Sequence, residues 1–378
     1  MKKVLLVLFF IPLFVFSQQK KEVLFIGNSY TFVNDLPTLV EQIALTFGDT
    51  LIHDSSTPGG ATFSMHSTNS QTISKINQQV WDYVILQAQS QEPSLSPGYV
   101  NANVYPALQT LINIISQSSI CIEPMFFMTW GRKYGDASNC VPWPPVCTYL
   151  GMQEQLRLRY LDFASIHNAS CTPVGMAWKQ SIEQDSTLNL YSPDNSHPSI
   201  YGSYLAACTF YASIFKKSPS GSSFWPNGID SVTAYNLQLI ASKIVLDSVA
   251  VWHIFNADFS FVQNNDSISF SNLSSNFDSI IWNFGDGNTS NLTNPNHTYT
   301  ASGTYTILLT AFTNAACQID TSTSTISVSI PSAIMENTKE KILIRTTDIQ
   351  GRNCMPLNFF PYLYFYNDGT VEKKVILE

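Results

Sequence analysis

Ser29, Asp194 and His197 are the residues of this chain whose types and order suit acyl transfer. A serine hydroxyl becomes a useful nucleophile when an imidazole takes its proton, and the imidazole needs a carboxylate to fix its tautomer and stabilise its charged form. Ser29 lies in Val23-Leu24-Phe25-Ile26-Gly27-Asn28-Ser29-Tyr30-Thr31, where an apolar run of strand character stops in a small-residue turn. Far along the chain, Ser192-Pro193-Asp194-Asn195-Ser196-His197-Pro198 sets a carboxylate and an imidazole three residues apart, before a helix that Pro198 can open as its first residue. A lone Gly-Asn-Ser triplet is ordinarily a turn; the distant Asp-x-x-His is what gives this one chemical meaning.

Strand-like and helix-like segments alternate between the two ends. Strands are predicted at Glu22 to Ile26, Leu51 to Ser55, Tyr83 to Gln87, Ile120 to Met128 and Thr172 to Val174. Helices are predicted at Leu36 to Phe47, around Ser70 to Val80, and at Asn103 to Ser116, Tyr149 to Asn168, Ile200 to Phe215 and Val232 to Phe255. Such alternation implies an α/β domain, a parallel sheet covered on both faces, with the serine at its carboxyl edge, where ligands of open sheets bind.

Together the Gly-Asn-Ser turn and the Asp-x-x-His block resemble the SGNH (GDSL-like) hydrolases over roughly residues 20 to 253. The resemblance implies a flavodoxin-like three-layer fold, a Ser29-His197-Asp194 triad and no metal or organic cofactor. Pro58-Gly59-Gly60-Ala61-Thr62 matches the family's second block, so the Ser29 and Gly60 amides are the expected oxyanion donors. The third block departs from the pattern. Where the family has Gly-x-Asn-Asp, this chain has Gln87-Ala88-Gln89-Ser90-Gln91-Glu92. Counting from Asp82 puts Gln91 in the asparagine position, whereas Gln89 falls at the turn and Gln87 continues the strand; Gln89 or Gln91 is the expected amide donor. Of the remaining histidines only His66 is placed to line this pocket. Trp130 and Arg132, after the fourth strand, are candidates for a substrate wall with Trp143 and for contact with an acidic group.

Charged residues make up 12% of the chain and the formal net charge is -8, which leaves no basic footprint for nucleic acid. Two lysines, an apolar run from Val4 to Phe16 and Ser17-Gln18 read as a secretory signal, the run being short for a bilayer span. Export makes the seven cysteines candidates for pairing. Cys140 and Cys147 bracket a Pro-rich loop that one bridge would close, while Cys121 and Cys208, in apolar runs, read as buried thiols. No Cys-x-x-Cys or His-x-x-x-His spacing points to a metal.

After residue 254 short strands and turns take over. Trp282-Asn283-Phe284-Gly285-Asp286-Gly287-Asn288 and Gly303-Thr304-Tyr305 resemble a PKD domain, an immunoglobulin-like sandwich that in secreted enzymes serves as a spacer or a glycan-contacting unit. The strands and turns of 331–378 resemble a short type IX secretion sorting signal, a β cap on the preceding module being the other reading. The expected organisation is a signal peptide (1–17), an SGNH domain (18–254), a PKD domain (255–330) and a sorting segment (331–378). The expected activity is that of a secreted or surface-attached serine esterase acting on an ester substrate such as an acylated polysaccharide. The alternative is a non-catalytic glycan-binding or adhesive surface protein with a degenerate SGNH domain.

Overall fold

The computed structural model describes residues 18–313, 317–330, 340–357 and 359–377. The expected signal at 1–17 lies outside them. The chain divides into two compact units, 1–328 and 329–378.

The first unit opens with an α/β domain. Its first half comprises β1 (Lys20–Ile26), the single turn α1 (Ser29–Phe32), α2 (Leu36–Thr46), β2 (Thr50–Ser56), α3 (Phe63–Thr68), α4 (Ser70–Ile76) and β3 (Tyr83–Leu86). There follow α5 (Pro97–Asn103), α6 (Tyr105–Ser118), β4 (Glu123–Phe127), α7 (Tyr149–His167), β5 (Ser170–Thr172), α8 (Val174–Gln184), α9 (Ile200–Phe215) and α10 (Ser231–Leu246). The sheet is parallel throughout, in the order β2-β1-β3-β4-β5. Parallel strands are covered on both faces, so they read as unbroken apolar runs, and successive side chains go to opposite layers. Val23 and Phe25 pack with α2, α8, α9 and α10, while Leu24 and Ile26 pack with α6 and α7. The result is a three-layer α/β fold with every βα turn at one edge.

Several elements differ from the sequence reading, among them the unpredicted helices Phe63–Thr68 and Pro97–Asn103. Val174–Gln184 is a helix where none is predicted. The last helix stops at Leu246 instead of Phe255. Trp252 and Ile254 there turn inward to the core, with His253 at φ 52° and the Trp252 indole donating to the Ile244 carbonyl (2.7 Å). Pro198 does not open α9 either: it bridges Tyr191, and Ser199 caps the helix through the Gly202 amide.

A β-sandwich follows within the same unit, from β6 (Phe259–Asn264), β7 (Ser267–Asn272), β8 (Ser279–Asn283), β9 (Thr289–Ser290), β10 (Asn296–Thr298), β11 (Gly303–Thr313) and β12 (Gln318–Val328). One sheet is ordered β10-β7-β6 and the other β12-β11-β8-β9. Trp282 is fully buried between them, against Phe259 and Phe270. This sandwich is bound to the amino edge of the α/β sheet. Cys121 forms a disulfide with Cys317 across 196 residues of chain, which corrects the reading of Cys121 as a buried thiol. Close to the bridge, the Gln318 amide donates to the Glu123 carboxylate at the start of β4, and Lys216 pairs with Asp320 at 2.8 Å. Cys208 is buried and unbridged, as are Cys171 and, less deeply, Cys354.

The second unit is an antiparallel sheet of β13 (Leu343–Asp348), β14 (Pro361–Tyr366) and β15 (Val371–Val375), in that order. No helix among the described residues is long and apolar enough to cross a membrane.

Candidate active site

Ser29 sits in the turn leaving β1, and that turn is held from several directions. Gln87, fully buried at the end of β3, accepts from the Asn28 amide (3.0 Å) and the Thr31 hydroxyl (2.8 Å) and donates to the Asn28 side chain (2.8 Å). Its approach explains Gly27: a Cβ there would stand 2.6 Å from both the Gln87 amide oxygen and the Thr31 hydroxyl. Asn28 caps α1 by accepting from the Tyr30 amide (3.1 Å) and reaches the Ala61 carbonyl (3.1 Å), tying the Ser29 turn to the glycine loop after β2.

His66 lies behind the same turn. Its Nε2 donates to the Gly27 carbonyl (2.8 Å) and its Nδ1 accepts from Thr72 (3.0 Å), whose hydroxyl also meets Ser56 (2.8 Å). Burial, only partly offset by the bond to the Gly27 carbonyl, lowers its pKa and favours the neutral ring. With both nitrogens engaged and 1% of its surface exposed, His66 supports the turn. The expectation that it contacts substrate is corrected.

The loop between α8 and α9 brings the other two groups. Asp194 accepts from the Ser196 and His197 amides (3.0 Å each) through one oxygen and from His197 Nδ1 through the other. That bond leaves His197 Nε2 free to accept, and it lies 2.9 Å from Ser29 Oγ. Partial burial raises the Asp194 pKa, but the bonds from the His197 ring and the two amides outweigh it, so its carboxyl lies below its usual range and stays ionised. The loop is closed by Ser192 N–H donating to the His197 carbonyl (2.8 Å) and is fixed from outside by Lys133 N–H on the Asn195 carbonyl (3.0 Å). Residues 168 positions apart thus meet within hydrogen-bond reach.

The two backbone donors expected for an oxyanion are present and uncommitted. Among the described residues neither the Ser29 nor the Gly60 N–H has a hydrogen-bond partner, and Gly60 holds φ +69° with open space around it. The glutamines separate. Gln91 donates its amide to Asp136 (2.7 Å), a carboxylate with no exposed surface that also accepts from Asn139 (2.7 Å). It is therefore spoken for, which corrects its place among the expected donors. Gln89 turns its amide oxygen to the Gln91 and Glu92 N–H groups (2.8 and 3.3 Å), so its NH2 points away from that turn and has no partner among the described residues.

Trp130 is also corrected. It is fully buried, stacked between Tyr30 (4.6 Å) and Trp178 (3.9 Å), and donates to the Ser196 carbonyl (3.0 Å), so it forms the floor beneath the site and no substrate wall. Arg132 is part-exposed, 3.7 Å from Asp136, with its Nε buried and unpartnered. Cys140 and Cys147 are bonded and close the Pro-rich loop, whose Trp143 donates to the Ser94 carbonyl (3.1 Å). Sequence reasoning passed over Tyr30 and Asp136 as site residues. Tyr30 lies inside the stretch singled out for Ser29, and that adjacency is the one signal that marks it.

A family model described as "PKD domain" matches residues 260–328. This chain carries a PKD domain. The PKD1 domain of a Vibrio cholerae metalloprotease, PrtV, is 32% identical over 20% of this chain and 98% of that one, at a TM-score of 0.19. For the α/β domain, a DUF4886 family protein from Bacteroides uniformis is 18% identical and covers 60% of this chain and 95% of that one, with a TM-score of 0.52. A Slackia heliotrinireducens protein described as a candidate SGNH hydrolase is 21% identical over 52% of this chain and 99% of that one, at 0.42. No curated protein matches the chain. The domain before the PKD domain shares its fold with the DUF4886 family protein, and its Ser29, Asp194 and His197 blocks lie at the carboxyl edge of the sheet in the order β2-β1-β3-β4-β5.

Proposed function

We propose that this chain is an exported serine esterase. The observation that carries the reading is one imidazole bonded to Asp194 on one side and standing 2.9 Å from the Ser29 hydroxyl on the other, beside unpaired backbone donors. Ser29 Oγ attacks the ester carbon as His197 Nε2 takes its proton. The carbonyl π electrons move to oxygen, and the oxyanion is held by the Ser29 and Gly60 amides and by the free NH2 of Gln89. Collapse of this intermediate expels the alcohol, which receives the proton from His197. A water molecule, deprotonated by the same imidazole, then attacks the acyl-enzyme and releases the carboxylic acid and Ser29. Asp194, ionised throughout, holds His197 in the required tautomer.

The ester of an O-acylated polysaccharide is the proposed substrate, and Arg132 at the rim is the proposed contact for an acidic sugar. Two disulfides support an oxidising location, and the C-terminal sheet is proposed as the address for type IX export. The domain limits proposed are 18–254, 255–330 and 331–378. A purely glycan-binding role would not need a base aligned on a serine. Hydrolysis of p-nitrophenyl acetate by the chain from Gln18 onward and by Ser29→Ala separates the readings: turnover should fall on the order of a millionfold. Equal rates for both proteins would overturn the esterase reading.

A further inference from the structure

Tyr30, the residue after the nucleophile, is 2% exposed and reaches across to the acid–base loop. Its hydroxyl is 2.6 Å from Ser196 Oγ, its ring lies flat on Trp130, and its neighbour Trp130 donates to the Ser196 carbonyl at 3.0 Å. The Tyr30 ring also meets the His197 ring edge to face at 5.4 Å. Ser196 is the residue directly before His197 and two after Asp194, so its backbone and its side chain are each gripped by one member of a buried aromatic pair. Trp130 is itself backed by Trp178. Burial holds the Tyr30 hydroxyl above its ordinary pKa, so it remains a neutral hydrogen-bonding group.

We propose that the Tyr30–Trp130 pair is a positioning device that couples the nucleophile turn to the loop carrying Asp194 and His197. Because Tyr30 shares its turn with Ser29, any shift of that turn carries Ser196, and with it the imidazole. A misplacement on the order of 1 Å between nucleophile and base costs up to a hundredfold in rate. Neither Tyr30 nor Ser196 is assigned a proton-transfer step; both act through His197.

The inference rests on the esterase reading, and the test keeps the two apart. Tyr30→Phe and Ser196→Ala each remove one end of the hydroxyl contact and keep the packing. Each should lower kcat on p-nitrophenyl acetate about tenfold with KM unchanged. The double variant should fall by the same tenfold, because only one contact is lost. Ser196→Thr, which keeps the hydroxyl, should restore most of the rate. Additive losses near a hundredfold, or no loss in Tyr30→Phe, would overturn the proposal. The downfield NMR signal of the His197 Nδ1 proton reads the same geometry without turnover. It should exchange faster with solvent in both single variants. If the native chain shows no Ser29-dependent turnover while that proton still responds, the esterase reading fails and the positioning stands; an unmoved proton overturns the positioning.

Discussion

The two edges of the α/β sheet are built to opposite ends. At the carboxyl edge, side chains from three separated segments converge and leave donors unpaired: the Ser29 and Gly60 amides and the NH2 of Gln89 have no partner among the described residues. At the amino edge, about a strand's length or 20 Å away, the PKD domain is attached through Cys121–Cys317, Glu123–Gln318 and Lys216–Asp320. Unpaired polar groups cost stability, and a fold that keeps them at one edge gains from a well-tied opposite edge. The PKD domain, expected as a spacer or glycan-contacting unit, is thus fixed to the edge of the sheet opposite Ser29. Substitutions at one edge should change rate and leave stability, and at the other the reverse.

The largest separation is expected for Gln89→Ala, which removes a proposed oxyanion donor: kcat should fall about a hundredfold to a thousandfold, with the melting temperature within about a degree or two. Gln91→Ala, whose amide serves Asp136, should instead lower stability more than rate, so the pair of variants assayed together distinguishes the two glutamines. Cys317→Ser at the amino edge should lose on the order of 2 to 4 kcal/mol of stability, read as a lower denaturant midpoint, with p-nitrophenyl acetate turnover unchanged. A rate loss there would show that the two edges are coupled.

The smallest effect is expected at Glu123. Burial, not fully offset by its hydrogen bonds and by Lys216 and Lys21, raises its carboxyl pKa. A folded-state pKa above the unfolded one gives stability that is present below the unfolded value and is lost as pH rises through the folded value. Glu123→Gln should therefore raise the melting temperature at pH 8 and leave it unchanged near pH 4. A drop at pH 8 would mean that the hydrogen bonds and the nearby lysines outweigh desolvation.

Much of the carboxyl edge was legible because acyl transfer demands particular residue types. Ser29, Asp194 and His197 stand out by chemistry, and β1 and β3 by being apolar on both faces. What was not legible depends on distance in space. Trp130 follows a strand as a pocket residue would, and only its stack with Tyr30 and Trp178 makes it floor. His66 lies beside the glycines in sequence but behind the turn in space. Cys121 finds Cys317 across 196 residues, which no local pattern records. The overlong reading of α10 failed where tertiary burial of Trp252 and Ile254 overrode helical propensity.

The proposed esterase activity requires Ser29 to be an activated nucleophile. Labelling with a fluorophosphonate, followed by mass spectrometry of the peptide that contains Ser29, measures this without a known substrate. The native chain should carry the label on Ser29, His197→Ala should label at least a hundredfold more slowly, and Ser29→Ala should remain unlabelled. Absence of label on the folded native chain, or label at the same rate in His197→Ala, would contradict it.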